Sequence, residues 1–171
     1  MIVTSLVVLA LAAVGLADVS DVPAGYKTVY ITSNVNAKFV VQPKAAKAGS
    51  AVVVQTLTSK PEQQWYVKDA ASGNSKIQLA GTTLCLDAGA KSNWKDMANL
   101  VINDCADSDG QTWEIKADGR IAVAASSPQE CIDLQYMRAT ANNPVGLYSC
   151  AGLNNAGAGD KGINWPLAAA T

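Results

Sequence analysis

The 171-residue chain contains no histidine. That absence removes the Ser-His and Cys-His nucleophile systems and the commonest metal ligand in one stroke. None of its four cysteines forms a CxxC spacing, so a zinc site would need four thiolates at unfamiliar separations, and neither a metal nor any other cofactor is expected. No glycine-rich phosphate loop follows a strand-like segment. Charge of one sign is also missing: 13 Lys and Arg stand against 14 Asp and Glu, scattered along the chain, and no basic block exists to track a phosphate backbone. Nucleic acid and anionic membrane are therefore not expected as partners. Carboxylates that might serve a glycosidase are clustered only at Asp104, Asp107 and Asp109, where a Ser/Gly-rich turn reads as a solvated loop, so the chain is not expected to be an enzyme. No N-x-S/T sequon is present, and N-glycosylation is not expected.

Long apolar runs are limited to one. Residues 1–17, MIVTSLVVLALAAVGLA, carry no charge, are too short to span a bilayer comfortably, and end in Gly15-Leu16-Ala17, with small residues on either side of Leu16. They read as a signal peptide, although the usual basic residue near Met1 is missing. Residues 18–171 are then expected to form one secreted, extracellular domain with no membrane insertion, long enough to bury a sizeable core. In an oxidising compartment Cys85, Cys105, Cys131 and Cys150 most simply form two disulfides, with three connectivities open.

A repeat runs through that domain. VVVQTL at 52–57, LVINDC at 100–105 and VGLYSC at 145–150 are preceded by the short apolar segments KFVVQ (38–42), LCLDA (84–88) and CIDLQ (131–135). Ile31, Ile77 and Ile121 stand before these. Each copy closes on a tryptophan: Gln63-Gln64-Trp65, Gln111-Thr112-Trp113 and, after the glycine-rich insertion AGLNNAGAGDKG, Ile163-Asn164-Trp165. A period of about fifty residues suggests a solenoid, a propeller or a threefold barrel. Runs of four to six residues rich in Val, Ile, Thr and Tyr, broken by Gly, Asn, Ser, Pro and Asp, predict short strands. Three copies are too few for an ordinary propeller or a capped solenoid and fit a closed threefold unit.

The pattern C-L-D, a strand ending in cysteine, then Q-x-W resembles the ricin B-type lectin domain, a carbohydrate-binding module, from about Tyr30 to Trp165. The resemblance implies an all-β fold, a β-trefoil of three pseudo-symmetric lobes with four strands each, six strands closing a barrel and six capping it. Trp65, Trp113 and Trp165 are then expected in the shared core, with Gln63 and Gln111 hydrogen-bonding main-chain groups of the preceding turn. Threefold symmetry favours the pairings Cys85–Cys105 and Cys131–Cys150, with Phe39 and Leu57 at the same two places in the first copy.

In that family a shallow pocket per lobe uses the aspartate of C-L-D to accept hydrogen bonds from sugar hydroxyls, an aromatic ring to stack on the sugar, and a nearby amide. Copy three meets the requirement best, with Asp133 and Tyr148, and with Asn143 beside Asn142 in a loop expected to overhang the pocket. Gly146 stands where the family often has glutamine, and Asn154, Asn155 and Asp160 compete for the last polar position. Copy two keeps Asp87 but has Asn103 in the aromatic slot; Trp94 either replaces the ring or anchors its loop. Copy one, with Val41 and Gln55 at these positions, is expected to ignore sugar. The resemblance thus implies glycans as partners, of galactose or xylan type, bound at about millimolar strength per site, with oligomeric state open. The alternative is a trefoil protease inhibitor or a defence or toxin component that acts through the loops at 43–50, 68–76 and 151–162.

Overall fold

The computed structural model describes residues 22–170, and the signal-peptide reading of residues 1–17 lies outside them. Twelve short strands, joined by turns and single 3-10 turns, make an all-β fold. Lobe one holds β1 (Tyr26–Ile31), β2 (Phe39–Pro43), β3 (Ser50–Thr56) and β4 (Trp65–Lys68). Lobe two holds β5 (Gln78–Leu79), β6 (Leu84–Asp87), β7 (Val101–Asp104) and β8 (Trp113–Ile115). Lobe three holds β9 (Ile121–Val123), β10 (Glu130–Leu134), β11 (Val145–Ser149) and β12 (Leu167–Ala169).

Six strands close a barrel. Antiparallel pairing runs from β12 to β1, β4 and β5, and separately from β8 to β9. Two isolated bridges, Ser75 with Trp113 and Arg120 with Asn164, join these runs into a ring, which leaves no free edge in the barrel. The remaining strands form three hairpins, β2–β3, β6–β7 and β10–β11, which cap it. The caps touch one another through Ala51 with Val101, Val53 with Pro144 and Asn99 with Gly146.

The reason for the repeated tryptophan is plain at the axis. Trp65, Trp113 and Trp165 are at most 1 % exposed and belong to one core cluster together with Ile31, Ile77 and Ile121. A buried indole N–H needs an acceptor, and each finds the same one. Trp65 donates to the Val41 carbonyl, Trp113 to Leu86 and Trp165 to Ile132, at 2.9, 3.1 and 2.9 Å. The glutamines fix the turn before two of these rings. Gln63 accepts from the Thr58 N–H and donates to the Thr56 carbonyl; Gln111 accepts from the Ala106 N–H and donates to the Asp104 carbonyl.

The indole acceptors also correct the sequence register in lobe one. Since Val41 plays the part of Leu86 and Ile132, the residue matching Asp87 and Asp133 is Gln42, not Val41, and the residue matching Cys85 and Cys131 is Val40, not Phe39. The ladders agree: Val40 faces Gln55 as Cys85 faces Asn103 and Cys131 faces Tyr148. Residues 39–41 read Phe-Val-Val, and nothing in such a run tells which valine faces inward; only the pairing partner does.

The disulfides are Cys85–Cys105 and Cys131–Cys150, each within one lobe. They close separations of 20 and 19 residues, worth about 3 kcal/mol each in the chain-entropy account. Changing either pair to alanines is expected to lower the thermal midpoint by roughly 6–12 °C, measured by calorimetry, with strand content retained.

Candidate functional site

Side chains alternate across a strand, so on β10 Ile132 turns to the core while Cys131 and Asp133 share the other face, and across the ladder Tyr148 lies opposite Cys131. Asp133 and Tyr148 thereby line one cavity of about 360 Å³. Its mouth carries Tyr136 and Met137 from the turn after β10 and Leu153 from the glycine-rich insertion. Asp160, from the same insertion, completes the acidic side, and Met97 comes from the lobe-two loop. The lining is an apolar surround with two carboxylates set in it, the arrangement suited to a ligand with one hydrophobic face and several hydroxyls.

Asp133 is 7 % exposed, and no described residue donates a hydrogen bond to its carboxylate. Burial, followed by the negative charges of Asp160 and Asp96, pushes its carboxyl up to about 7. Asp160 is differently placed: its oxygens accept from the N–H groups of Leu153 and Gly162, both at 2.8 Å. Why Asp133 lacks a partner follows from lobe three's departure from Q-x-W. In lobe two the Gln111 amide donates to Asp87, and in lobe one the Gln63 amide donates to Gln42. In lobe three a fully buried Ile163 stands at that position and has nothing to donate. The replacement removes a turn brace and leaves an acceptor open.

Tyr136 and Met137 hold φ of 58° and 50°, a left-handed conformation that non-glycine residues avoid and that clusters at functional sites. Tyr136 is 71 % exposed, with the Arg138 guanidinium 5.4 Å from its ring centre. Met97 reaches lobe three because the loop that carries it pairs with β11. The Met97 N–H donates to the Leu147 carbonyl, and the Leu147 N–H to the Ala98 carbonyl, both at 2.8 Å. A Cβ on Gly146 would lie 2.4 Å from the Ala98 oxygen, so glycine there admits the loop where a glutamine side chain has no room.

The other residues expected from the sequence lie apart. Asn143 is not at the cavity; its amide donates to the Gln135 carbonyl and ties down the turn that carries Tyr136. Asn154 and Asn155 are not in the lining either. Asp87 lines a separate hollow of about 310 Å³, and its carboxylate already accepts from the Gly89 N–H, the Asn103 amide and the Gln111 amide, at 2.6, 3.0 and 3.1 Å. Trp94 packs partly against the main core and donates its indole N–H to the Gly89 carbonyl. Its ring borders a different cleft, between lobes two and three. In lobe one Gln42 and Gln55 replace the acid and the ring, and both amides make contacts within the protein.

Four residues of the cavity escaped the sequence reading: Met97, Tyr136, Met137 and Leu153. Tyr136-Met137 had a signal, an aromatic and a methionine directly after the CIDLQ strand. Met97 had none, because its contribution depends on a loop crossing from one lobe to the next.

Comparison with known proteins agrees with this architecture. Residues 73–161 match the ricin-type beta-trefoil lectin domain, and residues 19–103 match the ricin-type beta-trefoil lectin domain-like family. Among solved structures, the designed threefold-symmetric protein ThreeFoil superposes with a TM-score of 0.68 at 19% identity, over 82% of this chain and 97% of that one. A mosquitocidal holotoxin superposes with a TM-score of 0.66 at 18% identity over 85% of this chain, which spans 17% of the toxin's length. The C-half of an earthworm R-type lectin, in complex with GalNAc, gives 0.61 at 15% identity, over 83% of this chain and 98% of that one. At such identities the likeness is one of fold. No curated protein matches the chain in sequence.

Proposed function

Because the chain belongs to the ricin-type beta-trefoil lectin domain family, we propose that it is a secreted carbohydrate-binding protein whose working site is the lobe-three cavity around Asp133 and Tyr148. The observation that carries this reading is the open acceptor on Asp133, set among aromatic and methionine side chains. Neighbouring equatorial and axial hydroxyls ask for a two-oxygen acceptor, and the C–H face of a pyranose asks for a flat ring. Tyr148 and the outward-facing Tyr136 supply candidate rings. Lobe two is a poor second site, since Asp87 is already bonded by three protein donors. The earthworm lectin bound to GalNAc makes galactose-type sugars the first to try. Glycan binding without turnover is the activity proposed.

A glycan array with wild type, Asp133→Ala and Tyr148→Ala tests the proposal. Signal on galactose-type glycans that both variants lose while keeping their fold supports it; signal unchanged in both removes the lobe-three site.

The acidity of Asp133 adds a pH signature. A ligand that donates to the ionised carboxylate competes with a proton, and the carboxyl takes up that proton as pH falls through about 7. Apparent affinity should therefore be flat above pH 8 and fall about tenfold for each unit below pH 7. Calorimetric titration between pH 5 and 8 reads this directly, and a pH-independent constant would mean that Asp133 does not accept from the sugar.

A further inference from the structure

An unexplained polar feature lies away from the lobe-three cavity. A cleft of about 540 Å³ separates the lobe-two loop that carries Trp94 from the turn between β9 and β10. Glu130 lines it, on the opposite face of β10 from Asp133. This glutamate is 7 % exposed, and its Oε2 is fully buried with no hydrogen-bond partner among the described residues. An unpaired buried carboxylate oxygen is costly to keep, and native proteins rarely keep one without a use. The rest of the strand end is well satisfied: the Glu130 N–H donates to Ser126 Oγ, which in turn donates to the Val123 carbonyl. Only the carboxylate is left over.

We propose that this interlobe cleft is a second saccharide subsite, in which Trp94 supplies the flat face and the Glu130 carboxylate accepts hydroxyls of a neutral sugar. The subsite rests on the reading that the protein's ligand is carbohydrate, but not on the lobe-three cavity. Its size falls within the roughly 300–1,000 Å³ of small-ligand sites. Charge at the cleft decides the class of ligand. Lys91 and Lys95 line the cleft together with Glu130 and Asp96, two basic and two acidic side chains, so neither an anionic nor a cationic sugar is favoured by the field. Glu130 has no protein donor, and a rotation of its side chain toward the cleft brings the carboxylate within reach of a hydroxyl, which donates without bringing in charge. Burial and the nearby charge of Asp96 raise the Glu130 carboxyl to about 7, as expected of an acid awaiting a donor. The Trp94 ring is held for the purpose: its N–H is anchored on the Gly89 carbonyl, and Asp96 pins the same loop to lobe three by accepting from the Ser149 N–H.

The test uses the Tyr148→Ala protein, in which the lobe-three cavity is disabled, and follows the Trp94 indole N–H by NMR. Galactose, N-acetylgalactosamine, xylobiose and N-acetyllactosamine are titrated to tens of millimolar, with glucosamine and calcium chloride as charged controls. At least one neutral sugar should give a saturable shift of the Trp94 signal with a constant in the millimolar range, weakened at least tenfold by Glu130→Gln. Silence from all four sugars, an unchanged constant in Glu130→Gln, a shift seen only with Tyr148 intact, or a response to glucosamine or calcium alone would each overturn the subsite. If Glu130→Gln disturbs the three core indole signals, Trp94→Leu read by calorimetry takes its place: loss of the millimolar binding supports the cleft and its persistence refutes it. Glycan binding that survives Asp133→Ala but not Glu130→Gln would remove the lobe-three reading and leave this one standing.

Discussion

At pH 8 the Asp133→Asn protein should hold no sugar in lobe three and yet melt above the wild type. The carboxyl of Asp133 rises from an ordinary 3.8 to about 7 on folding. Between those values the folded chain binds more protons than the unfolded one, so stability falls as pH rises through that window, and the loss is complete above pH 7. The full difference corresponds to about 4 kcal/mol; with the amide's own burial set against it, a gain of roughly 2 kcal/mol, or 4–8 °C in midpoint, is expected for the asparagine variant at pH 8. At pH 3 the carboxyl is protonated in both states, only the amide's burial cost remains, and the asparagine variant should melt slightly below the wild type. Glu130 is displaced in the same direction, so wild-type stability should decline from pH 4 toward pH 8 more than either acid alone predicts. Differential scanning calorimetry of the two proteins at pH 3 and pH 8 checks the sign. A wild type more stable than Asp133→Asn at pH 8 would mean that the carboxylate has a donor, which would leave nothing for a ligand to satisfy.

The second large effect is on the axis. Trp113→Ala should destabilise the chain by about 4 kcal/mol, lowering the thermal midpoint by roughly 8–16 °C, because the change opens a cavity in a fully buried site. It also leaves the Leu86 carbonyl without the indole donor, an added loss of about 1–3 kcal/mol. Trp113→Phe separates the two: it keeps most of the volume and loses the donor, so its smaller loss estimates the hydrogen bond. Because Trp65 and Trp165 make the same bond to Val41 and Ile132, the three substitutions should rank closely in denaturant unfolding. One that cost little would show that its lobe is held by something other than the indole.

Much of this architecture was legible because the threefold repeat repeats its reasons. Three tryptophans need three acceptors, two glutamines brace two turns, and two cysteine pairs staple two hairpins; each copy checks the others. The register of lobe one was not legible, because Val40 and Val41 are alike in sequence and differ only in which faces the barrel. At the candidate site the strand-borne residues, Asp133 and Tyr148, came together as the C-x-D and Y-x-C spacings imply. The loop-borne ones were harder. Asn143 braces a turn instead of overhanging the cavity, and Met97 arrives from another lobe because Gly146 leaves room for a backbone that no local pattern announces. The most informative residue was an apparent defect, Ile163 in place of glutamine, whose effect is visible only when Asp133 is compared with Asp87.

A crystal of the protein soaked with N-acetylgalactosamine at pH 8 tests the central claim most directly. Sugar hydroxyls within hydrogen-bond distance of both Asp133 oxygens, with the ring laid against Tyr148 or Tyr136, is the result expected. A sugar bound elsewhere on the trefoil, with the Asp133 carboxylate still without a donor, would contradict it.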